Sequence, residues 1–105
     1  MHYLYLSLAI ICEVIATTAL GASQGLTRRT PVLVMAVGYS LSFAFLALSL
    51  RAIPIGVAYA IWSGAGIVLI TTAGWLLFDQ NISTTALLGI CLIIVGVFMV
   101  HTAIP

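Results

Sequence analysis

This sequence predicts an all-α integral membrane protein of four transmembrane helices joined by short loops, and three observations predict it. Of its 105 residues, 64% are hydrophobic and 5% charged, where a water-soluble domain carries charge on roughly a quarter of its residues. Mean hydropathy is +1.33, so too little polar material exists to cover a water-facing surface and most of the solvent must be lipid. The apolar residues also fall into four runs, at about 3–20, 31–50, 55–78 and 85–104. Each has roughly the 18–24 residues that a helix needs to cross about 30 Å of hydrocarbon.

The runs must be helices or strands of a closed barrel, because lipid offers no partner to a free backbone group. Barrel strands alternate polar and apolar residues over about ten positions, and these runs do not alternate. The first break, from Gly21 to Thr30, is polar and contains Gly25, Arg28 and Arg29. The second, Arg51 to Pro54, is a tight turn, since proline ends one helix and fits the first turn of the next. Asp79 to Ser83 closes the third run, and Ser83 or Thr84 is placed to cap the fourth. Such short connections make sequential helices antiparallel. Residues 1–105 are expected to form one four-helix transmembrane domain. Small residues at Ala19, Gly21 and Ala22 do not make the first run a cleavable signal peptide: no Lys or Arg precedes it, and an acid interrupts it.

The charged residues are Glu13, Arg28, Arg29, Arg51 and Asp79. They form no basic stripe for nucleic acid and no acidic tail. Cys12 and Cys91 lie inside apolar runs, where free thiols behave as small hydrophobes. No nucleophile–base pair or metal cluster points to an enzyme, and neither a cofactor nor a metal is expected.

Glu13 is the exception to an apolar interior. It falls near the middle of the first run, where an acid costs on the order of 3 kcal/mol on insertion scales. Ser, Thr or Asn would glue helices at lower cost, so a carboxyl at that depth points to an ion or proton path. Desolvation favours the neutral form of a carboxyl, which suits a group that gains and loses a proton. Its neighbours one turn away, Ala9, Ile10, Ala16 and Thr17, are mostly small and are expected to leave room beside it. In the third run Tyr59, Trp62, Ser63 and Gly66 share one face, and in the second Tyr39, Ser42 and Phe43 repeat the spacing. A carboxylate with Trp and Tyr faces is the chemistry that holds a hydrophobic organic cation. Four helices leave no lumen for such a molecule, so at least two chains are required. Gly89 and Gly96, two turns apart on one face of the fourth run, offer the contact.

These residues make the chain resemble the small multidrug resistance family over essentially its whole length. The matching elements are Tyr3-Leu4-Tyr5, Glu13-Val14, Gly25 to Arg28, Pro31, the run IPIGVAYAIWSGAG from Ile53 to Gly66, and the spacing of Gly89 and Gly96. The resemblance implies an antiparallel homodimer, or a pair with a paralogous subunit, that exchanges protons for toxic cations across a bacterial inner membrane. It implies Glu13 of both subunits as the proton- and substrate-binding carboxyl. It implies Tyr39, Tyr59, Trp62, Ser63 and Thr17 as substrate-binding residues, and Tyr3 as the shape of the mouth. Gly64 and Gly66 would be the conformational hinge of the third helix, and Gly89 and Gly96 the dimer contact.

Within the family, guanidinium exporters typically have Trp three residues after the essential Glu and Thr after the Trp of the third helix. Here those positions are Ala16 and Ser63. With Tyr39 they resemble the quaternary-ammonium, multidrug branch. Guanidinium export is the alternative within the family, and a non-transporting accessory subunit the alternative outside it. Gly21 and Gln24 depart from the Lys and the acid usual at those positions. Orientation should follow the Lys/Arg imbalance of short loops. Arg51 on one side stands against Arg28 and Arg29 on the other, so chains are expected to insert both ways.

Overall fold

The computed structural model describes residues 1–103, and among them four helices form: α1 (His2–Ala22), α2 (Arg29–Ser49), α3 (Ile55–Leu77) and α4 (Thr84–Ala103). All four are long and apolar enough to cross a membrane, so the chain is an all-α, multi-pass membrane protein. The fourth apolar run includes Ile104, which lies outside the described residues. The other helices extend past or stop short of their runs by a residue or two. α2 begins at Arg29, ahead of Pro31, because the first turn of a helix needs no N–H partner and so accepts proline.

The chain divides into two compact units, the first ending at Ala52 and the second beginning at Ile53. In the first unit α1 and α2 form an antiparallel hairpin. Down its length Tyr5 stacks on Phe45 with ring centroids 6.4 Å apart, Ala9 meets Ser42, Ala16 meets Gly38 and Thr17 meets Tyr39. Small residues let membrane helices approach closely, and at Gly38 they do. A Cβ built there would stand 2.9 Å from the Ala16 Cβ and 3.1 Å from the Cys12 carbonyl oxygen. Ser42, fully buried, donates across the interface to the Ala9 carbonyl at 2.8 Å.

The α1–α2 connection is built around Ser23. Its hydroxyl donates to the Leu20 carbonyl at 2.7 Å and accepts from the Leu26 N–H at 3.0 Å. Its carbonyl accepts from the N–H groups of Thr27 and Arg28. Gln24, Gly25 and Leu26 all have positive φ, of 50°, 71° and 71°. Only glycine adopts this region without a Cβ penalty.

In the second unit α3 is unbroken from Ile55 to Leu77, with Pro54 as its N-cap residue. Asp79 turns the chain with φ of 53°. The Ser83 hydroxyl then accepts from the Ala86 N–H at 3.1 Å, the side-chain cap expected ahead of α4. Gly64 is the seat for α4: a Cβ there would lie 2.6 Å from Val97 Cγ2. None of the α4 residues is buried, and a Cβ at Gly89 or Gly96 would meet nothing within 4 Å.

Candidate functional site

Glu13 is the twelfth residue of α1, about 16 Å along the axis from His2 at 1.5 Å per residue. That places it near the centre of a span. Arg28, Arg29, Arg51 and Asp79 are all exposed and stand at helix ends or in loops. Glu13 is half-buried and has a defined hydrogen-bond environment. Thr17, one turn on, donates its hydroxyl proton to Glu13 Oε1 at 2.8 Å. The same Thr17 oxygen lies 2.7 Å from the Tyr39 hydroxyl on α2. Carboxyl, threonine and phenol thus form one continuous chain across the hairpin.

The close approach at Gly38 makes this chain possible. Gly38 and Tyr39 are consecutive on α2, as Ala16 and Thr17 are on α1. Bringing the first pair into backbone contact brings the second within hydrogen-bond distance. Here the structure corrects one expectation. Ala9, Ile10 and Ala16 do not leave open space beside Glu13. All three are buried, at 0%, 5% and 0% exposure, with Ala9 and Ala16 set against α2. The small size of Ala9 and Ala16 admits a helix. Nor do Tyr39, Ser42 and Phe43 act as one stripe: Tyr39 is bonded to Thr17, Ser42 is buried under Ala9, and Phe43 is 60% exposed.

In the second unit the rings of Tyr59 and Trp62 lie 6.5 Å apart at a tilt of 35°. Tyr59 is 67% exposed, and Ser63 is exposed beside the half-buried Trp62. This is an accessible aromatic pair on one helix face, the kind of surface on which an organic cation settles. Gly64 and Gly66 are buried within a continuous α3. Tyr3 is half-exposed near the start of α1. Sequence reasoning missed Gly38 and read Ser42 only as part of a stripe with Tyr39 and Phe43, although a glycine and a serine four residues apart on a membrane helix are the small and polar types that seat a neighbouring helix.

Residues 1–93 match the sequence pattern of the family described as Small Multidrug Resistance protein. The chain belongs to the small multidrug resistance family. It is 46% identical over 99 residues to the quaternary ammonium compound-resistance protein QacE of Escherichia coli, covering 94% of this chain and 90% of that protein. The multidrug transporter EmrE of Escherichia coli K12 is 46% identical over 99 residues, with the same coverage of both chains. A multidrug transporter of Pseudomonas aeruginosa is 48% identical over 100 residues, covering 95% of this chain and 91% of its own. Small multidrug resistance proteins named for quaternary ammonium and multidrug resistance are therefore its near relatives.

Proposed function

We propose that the whole chain acts as one transmembrane domain of a proton-coupled antiporter, which exports lipophilic and quaternary ammonium cations across a bacterial inner membrane. The observation that carries this reading is Glu13: an ionisable carboxyl mid-span, half-buried and hydrogen-bonded to a hydroxyl chain. Ionisable groups inside membrane spans mark ion and proton pathways. The printed names of the relatives supply the class of cargo.

The mechanism follows from competition for one carboxyl. Ionised Glu13 attracts the cation; the Tyr59–Trp62 pair is an aromatic surface of the kind that holds an organic cation. Protonation of Glu13 removes the charge that binds the cation, so it leaves. A ligand shifts a two-state equilibrium only through its differential affinity for the two states. Proton and cation exclude each other at Glu13, so each turnover exchanges one for the other. Binding strengthens as pH rises and the carboxylate fraction grows. Two chains inserted in opposite senses and paired through Gly89 and Gly96 would complete the path, with the inverted symmetry that lets a transporter alternate between its two faces. Gly64 and Gly66 would absorb the bend between those states, and Tyr3 would line the mouth.

Ala16 supports the quaternary-ammonium reading over guanidinium export. Its Cβ is set against Gly38, so the tryptophan that guanidinium exporters carry at this position would part α1 from α2. The test of the proposal is Glu13→Gln, which keeps the shape and removes the titration. Purified wild-type protein in liposomes should accumulate tetraphenylphosphonium when a proton gradient is imposed, and the variant should insert and fold but not transport. Gradient-driven uptake by Glu13→Gln would overturn the reading.

A further inference from the structure

Two of the chain's three basic side chains, Arg28 and Arg29, are neighbours, and both are exposed where the first loop meets α2. The fold holds their backbone in place. The Arg28 N–H donates to the carbonyl of the buried Ser23 at 3.1 Å, and the Arg28 carbonyl accepts from the Val32 N–H at 3.2 Å. The Arg28 side chain makes no capping hydrogen bond to α2. The unit from Met1 to Ala52 contains one acid, Glu13. It lies beyond the level of Tyr39, which is about 15 Å along the axis from Arg29. Two like charges therefore stand side by side with no carboxylate of their own unit near enough to offset them.

The same spacing fixes their depth. Tyr39 lies midway between Arg29 and Ser49, the ends of α2, and a hydrocarbon core of about 30 Å has its midplane about 15 Å from each edge. Arg29 thus stands at the hydrocarbon edge, beside the lipid phosphates. A guanidinium is a planar fork of donors matched to phosphate oxygens. Four and eight positions on from Arg29, Leu33 and Val37 are exposed and apolar, and helix positions four apart share a face. Charge and apolar surface run head to tail down one side of α2, in the order of a phospholipid's own parts.

We propose that this face binds an anionic phospholipid, its phosphate held by Arg28 and Arg29 and an acyl chain laid along Leu33 and Val37. The site needs only that the chain spans a bilayer, and it stands apart from the antiporter reading. A headgroup that carries its own cation, such as choline, brings a positive charge against the arginines and is disfavoured. The experiment is native mass spectrometry of the purified, full-length protein, delipidated in mild detergent, where orientation in a membrane plays no part. The protein is given an equimolar mixture of phosphatidylglycerol and phosphatidylcholine, and the readout is the ratio of the two among molecules holding one lipid. Phosphatidylglycerol should predominate. Arg28→Gln and Arg29→Gln should each cut the ratio about five-fold, the scale of one basic side chain at an anionic surface. Arg51→Gln removes the same charge from the second loop and should leave the ratio as it is. Inorganic phosphate, which has no acyl chain, should not displace the lipid. Equal binding of the two lipids by the parent protein, a ratio unmoved by either loop-one variant, or an equal fall with Arg51→Gln would overturn the site. Displacement by inorganic phosphate would overturn it as well, in favour of a site for free anions. Should one of the two variants be lost in purification, the other decides, because each arginine contributes on its own.

Discussion

Gly38→Ala adds a single methyl group where α1 and α2 are in tight contact. The new Cβ would stand 2.9 Å from Ala16 Cβ, 3.3 Å from Ala16 Cα and 3.1 Å from the Cys12 carbonyl oxygen. Carbon atoms attract best at about 3.5–4.0 Å, so the helices must part by roughly 0.6 Å or more at this level. One residue further along each helix, the Thr17–Tyr39 hydrogen bond of 2.7 Å would stretch to about 3.3 Å, beyond the usual O–H···O range. Inserting a methyl into such a contact costs about 1–3 kcal/mol. Thermal unfolding in detergent should therefore show Gly38→Ala destabilised by that amount. Ala16→Gly in the same background should recover part of the loss, because it removes the nearer Cβ and leaves the Cys12 oxygen in place. If Gly38→Ala unfolds like the parent, or if Ala16→Gly deepens the loss, the close approach is not what holds this hairpin.

Gly89→Ile with Gly96→Ile should leave each chain folded, because a Cβ at either position meets nothing within 4 Å among the described residues; it should lower the dimer fraction by detergent sizing, and retention of dimeric mass would place the contact elsewhere. Trp62→Ala should weaken tetraphenylphosphonium binding roughly thirty-fold, the value of a desolvated cation–aromatic contact of about 2 kcal/mol; unchanged binding would make the Tyr59–Trp62 pair packing alone. A cysteine in the first loop, in a variant lacking Cys12 and Cys91, should be labelled from outside intact cells in about half of the molecules; labelling near zero or near complete would mean one fixed orientation.

The four spans were legible because hydropathy and length are enough to recognise a helix in lipid, and Glu13 because an acid stands out in an apolar run. The packing of the first hairpin was not. Its helices are apolar on nearly every side, so no stripe marks the face that meets a neighbour. Ala9 and Ala16 were visible as small residues, but small size alone does not say whether a ligand or a helix fills the space. Gly38 and Ser42 decide it in favour of a helix. Thr17 was noticed as a neighbour of Glu13 one turn away, yet its link to Tyr39 depends on the register of α1 against α2, which no local pattern encodes. The positive φ at Leu26 was equally hidden, because the buried Ser23, and not any preference of leucine, holds that turn.

The hydroxyl groups divide into two kinds with different debts to the fold. Ser7 donates to the Tyr3 carbonyl, Ser40 to Ala36 and Thr72 to Val68, each four residues back on its own helix. Such groups carry their partner with them into hydrocarbon, so a lone helix meets no penalty for them. Ser42 and Tyr39 instead reach across to α1; in a lone α2 Ser42 could turn back to its own helix as Ser40 does, but the Tyr39 hydroxyl, held at the end of a rigid ring, would lose its partner. The first two helices therefore gain from meeting as soon as both are in the bilayer, before α3 and α4 have been made. In a chain with this order of synthesis, the half that carries Glu13 is stitched together first.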